Sequence, residues 1–127
     1  MPAREPFAYA ILRVVPDAER GEALNAGIVL FCRGRDFLRL QAQVPSAKLR
    51  ALGADVDLDA VAAQLRSLEL IAAGDPAGGP IAAGSASARF HWLVAPTSTV
   101  VQPSAVHTGL CEDPAATIQR LFRQLVA

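Results

Sequence analysis

Residues 7–33, FAYAILRVVPDAERGEALNAGIVLFCR, place two apolar runs around a short charged connector. From Phe7 to Val15 nearly every side chain is apolar or β-forming, and Pro16 removes a backbone donor and ends the run. In an extended chain Tyr9, Ile11, Arg13 and Val15 share one face, and Ala8, Ala10, Leu12 and Val14 share the other. Arg13 is therefore the one charge inside an otherwise apolar strand. It reads either as a sheet-surface arginine whose stem lies on apolar neighbours or as an anion-binding group in a cleft. Asp17 to Leu24 forms the connector, with one helical turn ended by Gly21. Asn25 to Arg33 is a second strand, with Gly27, Val29 and Phe31 opposite Ala26, Ile28, Leu30 and Cys32.

Outward from this pair, Gly34 in Arg33-Gly34-Arg35-Asp36 reads as the turn residue of a hairpin. The third strand, Phe37 to Val44, alternates cleanly, with Leu38, Leu40, Ala42 and Val44 inward and Arg39, Gln41 and Gln43 toward water. That period of two implies an antiparallel sheet with one solvated face. After Pro45 the pattern becomes helical. Ser46 caps a short helix over 47–52, and Asp57 caps a longer one to Ala73 with Leu58, Val61, Ala62, Leu65, Leu68 and Ala72 as its apolar stripe. The acids Asp55, Asp57 and Asp59 resemble the start of a calcium loop. Ala60 stands where that loop needs glycine and Arg66 where it needs a carboxylate, so calcium is rejected.

Residues 74–84 are expected to be a flexible loop. A third helix over 85–94, a fourth strand over 97–102 ended by Pro103, a polar turn region around His107, and a last helix started by Asp113-Pro114 complete the chain. The expected fold is α+β in the order β-β-β-α-α-α-β-α: one domain over 1–127, with about four antiparallel strands and the helices on one face.

Twelve basic and twelve acidic residues cancel, so the basic footprint of a general nucleic-acid binder is missing. Two cysteines far apart in sequence support neither a zinc site nor a disulfide framework. No signal peptide or membrane span is read, and a cytoplasmic protein is expected. Neither cofactor nor metal is expected.

Polar residues that packing does not require gather in two places. One is Arg13, Asp17, Glu19, Arg20, Glu22 and Asn25 around the connector; the other is Thr97, Ser98, Thr99, Gln102, Ser104, His107 and Thr108, with Gly109 beside it. His107 is the candidate acid–base group, since its ordinary pKa lies nearest neutrality and it is read as part of a loop. No G-x-S-x-G elbow surrounds Ser98 or Ser104, and the acids Glu112 and Asp113 oppose a thiolate at Cys111.

Residues 9–16 (YAILRVVP), 20–31 (RGEALNAGIVLF), 89–93 (RFHWL) and 103–109 (PSAVHTG) together resemble a bacterial family catalogued as domain of unknown function 3037. The resemblance covers essentially the whole chain. It implies no assigned activity; it carries over Arg13, Arg20, Glu22, Asn25, His107, Thr108 and Gly109 as pattern positions, with Ala26 where valine is usual. It also implies a partner role beside a HipA-like kinase or in a toxin–antitoxin-like system. The leading expectation is a small non-catalytic binding or adaptor module with a protein partner. The alternative is a phosphate- or nucleotide-directed enzyme or sensor using Arg13, Arg20 and His107. Nucleic acid and membrane are not expected partners, and a homo-oligomer is left open.

Overall fold

The computed structural model describes residues 3–53 and 55–127. Its centre is β1 (Glu5–Val14), which pairs antiparallel with β2 (Leu24–Cys32) on one edge; β2 pairs in turn with β3 (Phe37–Ala42). On the other edge β1 meets two short strands in line, β4 (Val101–Pro103) opposite Leu12 to Val14 and β5 (His107–Cys111) opposite Glu5 to Tyr9. Between them Ser104 holds the edge together. Its hydroxyl accepts from the Ile11 N–H at 2.9 Å, and its own N–H donates to the Ile11 carbonyl at 2.7 Å.

The helices are α1 (Ser46–Ala51), α2 (Leu58–Ala73), α3 (Ala86–Leu93) and α4 (Pro114–Leu125). The α+β class and the antiparallel sheet are as read from the sequence, but the helices are not all on one face. Ala10, Leu12, Val14 and Val29 pack with Val61, Leu65, Phe90 and Leu93, under α2 and α3. Phe7, Ile28, Leu30 and Cys32 pack with Ile118 and Leu121, under α4. The cause is the unbroken run Ile28-Val29-Leu30-Phe31-Cys32. A strand apolar on both faces has to be covered on both.

Further local features depart from the sequence reading. The fourth strand covers Val101–Pro103, not 97–102, so Pro103 is its last residue and not the stop beyond it, and residues 97–100 are not strand. The hairpin between β2 and β3 takes its left-handed residue at Asp36 (φ 49°), not at Gly34. A Cβ at Gly34 would meet only the carboxylate end of the Glu5 side chain, which can swing aside, so the turn does not demand glycine there. Residues 107–111, read as a turn, are a strand. Polar Thr108 and Gly109 conceal it, and the free edge of β1 supplies the partner that makes it one. Finally, β2 carries a bulge: Leu12 pairs with Gly27, whereas Arg13 pairs with Asn25. Ala26 is the extra residue, so Asn25 turns to the α4 side rather than lying with Gly27.

The caps read at Asp57 and Asp113 are found, but Ser46 does not cap α1: it is the first helical residue, Pro45 holds the cap position, and no side chain bonds the helix start. Asp57, Ser85 and Asp113 each accept backbone N–H groups at the starts of α2, α3 and α4, and Gly74 (φ 69°) ends α2. The following stretch carries two 3-10 turns, Pro76–Gly78 and Pro80–Ala83, with Ala82 buried. Arg89 ties it down, donating to the Gly84 carbonyl at 2.8 Å and the Ala72 carbonyl at 3.3 Å. Among the described residues no helix is long and apolar enough to cross a membrane.

Ile118 is fully buried where α4 meets the sheet. Ile118→Ala is expected to lower the unfolding free energy by about 2–5 kcal/mol, measured by urea denaturation, because the site is closed on all sides and cannot collapse.

Candidate functional site

Strand alternation and the bulge together set a polar row across three strands on the α4 side of the sheet. Arg13 of β1 is flanked directly by Asn25 of β2 and by Gln102 of β4. Both neighbours are engaged elsewhere. The Asn25 amide donates to the Leu125 carbonyl at 2.8 Å, and the Gln102 amide donates to the Thr99 carbonyl at 2.9 Å. Arg13 is half-buried, and its Nε is enclosed without a hydrogen-bond partner among the described residues. The one ion pair among those residues lies elsewhere, between Arg20 and Glu22.

Tyr9 and Ile11 precede Arg13 on the same face, partly buried against the α4 cluster. His107 pairs with Tyr9 across β1 and β5, with ring centroids 5.2 Å apart. So Arg13 and His107 do face the same side. Four residues of strand separate their rows, roughly 13 Å at the usual rise. Clefts of about 330 to 350 Å³ open beside α1, between α2 and α3, and between β3 and α2, and neither side chain lines these. His107 is exposed and sits in a strand rather than a loop, and its ring has no hydrogen-bond partner among the described residues.

The remaining sequence candidates are scattered by the fold. Arg20 and Glu22 pair with each other at 2.6 Å beside the connector turn, with the Arg20 side chain 64% exposed. An exposed pair of this kind contributes about 1 kcal/mol or less. Thr108 lies on the opposite face, beside Ala8. Gly109 is a packing position, because a Cβ there would come within 2.8 Å of the Phe7 ring. The strip that does form is Tyr9, Ile11, Arg13, Asn25, Gln102 and His107. Tyr9 and Ile11 are the members sequence reasoning missed, although their alternation with Arg13 already put the three on one face.

The cysteines, distant in sequence, are neighbours in the α4-side core. Burial pushes the Cys111 thiol above its ordinary value of 9.0, and nearby Cys32 adds to the rise, while Thr117 and Arg35 oppose it. A thiol so placed is a poor nucleophile. No group of three or more His, Cys, Asp or Glu side chains among the described residues is arranged to hold a metal ion. What the strip offers chemically is one half-buried guanidinium with its Nε enclosed and apolar side chains beside it on the same strand face. Such a group can donate to a carboxylate or phosphate.

Two measurements probe these assignments. Arg13→Met is expected to leave stability unchanged or to raise it by about 1–3 kcal/mol in chemical denaturation, since it removes an enclosed donor that nothing satisfies. A structural arginine would give the opposite sign. For Cys111, the folded thiol ionises at higher pH than the unfolded one. Its contribution is complete below the unfolded value and is lost as pH rises through the folded value. Cys111→Ala should therefore flatten the alkaline decline of stability seen in pH-dependent melts.

No curated protein and no solved structure matches the chain. The family model described as "Protein of unknown function (DUF3037)" matches residues 9–126, which takes in β1 from Tyr9 onward, the rest of the sheet and all four helices. The chain belongs to the DUF3037 family of proteins of unknown function.

Proposed function

We propose that the protein is a small binding module that seats a protein partner on the strip formed by Tyr9, Ile11 and Arg13. A partner carboxylate would meet the Arg13 guanidinium. The observation that carries this reading is Arg13 itself, half-buried, with an enclosed Nε that no described residue satisfies. The enclosed Nε is out of a partner's reach, but the two terminal nitrogens of the same guanidinium are neither enclosed nor bonded to any described residue. A partner carboxylate can accept from both in a charge-assisted fork. Tyr9 and Ile11 supply apolar contact on one side, and Asn25 and Gln102 hold the row at a fixed width. This is the make-up of a binding hot spot: one arginine anchor beside an aromatic residue.

The phosphate-directed enzyme has less support. It needs Arg13, Arg20 and His107 to converge. Arg20 is exposed and paired with Glu22, and His107 is a full strand segment away from Arg13 with no carboxylate to orient it. A cytoplasmic setting and a HipA-like kinase as partner, both expected from the sequence and its family resemblance, belong to the same proposal.

The test is direct binding of the purified chain to such a kinase by titration calorimetry, with Arg13→Gln alongside. Arg13→Gln is expected to weaken the complex by roughly 10- to 100-fold, the equivalent of one charge-assisted hydrogen bond. Equal binding by both chains would sink the role given to Arg13. A thermal shift with nucleotides or inorganic phosphate that disappears in both Arg13→Gln and His107→Ala would favour the enzyme instead.

A further inference from the structure

Strand β5 lies at an open edge of the sheet, paired on one side with β1. Exposed edges are normally blunted by charge, proline or a bulge, because their free backbone groups invite another strand. Residues 107–111, His-Thr-Gly-Leu-Cys, carry no lysine, arginine, acid or proline. The edge is also apolar. Leu110 is 62% exposed and Val106, just before the strand, is 44% exposed. Leu110 is the most exposed of the large hydrophobic residues, and exposed Thr108 lies between the two. By strand alternation Val106, Thr108 and Leu110 form a single row, on the sheet face opposite Tyr9 and His107.

We infer that two copies of this chain pair through β5, antiparallel about Thr108, joining their sheets edge to edge. Symmetry restricts the registers sharply. A two-fold axis normal to the sheet keeps each residue on its own face, so the axis must lie midway between two copies of the same residue, which then face each other. Centring on Thr108 sets Val106 against Leu110 of the second copy, Thr108 against Thr108, and Leu110 against Val106. Both exposed hydrophobic residues are then matched, and threonine pairs with threonine, a favourable cross-strand pair. Centring on Gly109 sets Val106 against Glu112. Centring on Leu110 sets Thr108 against Glu112 and leaves Val106 unmatched. Only the first register pairs like with like across the whole row. An apolar–threonine–apolar row symmetric about its centre is what self-pairing requires, whereas a foreign strand would impose no such symmetry; this favours a second copy as the occupant.

The pairing is independent of Arg13, which lies on the other face. Light scattering coupled to size exclusion should give the mass of two 13.3 kDa chains for the parent. Leu110→Lys should give a single chain that still melts cooperatively, at a temperature independent of protein concentration, and Arg13→Met should remain paired. For the register, Thr108→Cys should form a reducible dimer under mild oxidation, because directly opposed strand residues fall within disulfide reach. Arg123→Cys, on the outer side of α4, serves as the control for random collision; the natural thiols are buried. A parent chain that is monomeric at its highest soluble concentration would overturn the proposal. So would a dimer indifferent to Leu110→Lys, or Thr108→Cys crosslinking no faster than the control.

Discussion

Everything in this fold depends on β1 being paired on both edges and covered on both faces. Ala10 and Val14 have no exposed surface and Leu12 has almost none, so the strand cannot shift by one residue without turning its buried set outward. That constraint fixes the register of β2 on one side and of β4 and β5 on the other. It also explains why α4 must lie opposite α2 and α3: a central strand with hydrophobic residues on both faces leaves no face for water.

Arg13 is the exception that this constraint makes conspicuous. A strand so tightly held presents its side chains in fixed directions, and alternation puts the guanidinium on the α4 side whatever it finds there. The bulge at Ala26 then turns Asn25 to the same side, and β4 brings Gln102 alongside. Both amides bond backbone carbonyls instead of the guanidinium. The fold therefore frames the guanidinium while leaving its enclosed Nε without a partner among the described residues. The open edge at β5 is a separate matter. It arises because the chain completes the fourth position of the sheet with two short strands, too little material to shield their outer edge.

The fold was largely legible where a local physical rule governed it. The alternation of β3 predicted its inward Leu38 and Leu40, and the acids Asp57 and Asp113 marked the starts of α2 and α4 before any contact was known. Local rules failed where the deciding partner was remote. Nothing within residues 107–111 reads as strongly β-forming, so the strand is invisible without β1 beside it. The bulge is equally hidden, since it is the difference between two registers and not a property of Ala26. At the candidate site the same division holds. Arg13 stood out as a charge in an apolar run, but Arg20, named with it for proximity in sequence, is engaged by Glu22 and away from the strip.

By itself the sequence determined the periodicities, the caps, the class of fold and the anomaly at Arg13, because each rests on residues within a few positions of one another. Tertiary structure alone decided which face α4 covers, that Cys32 and Cys111 are neighbours, that Arg13 and His107 share a face without sharing a pocket, and that β5 exists at all. These are consequences of pairing between segments up to about a hundred residues apart, as when Ser104 bonds Ile11 or Asn25 bonds Leu125. Periodicity says which way a side chain points along its own strand. Only closure of the sheet says what it points at.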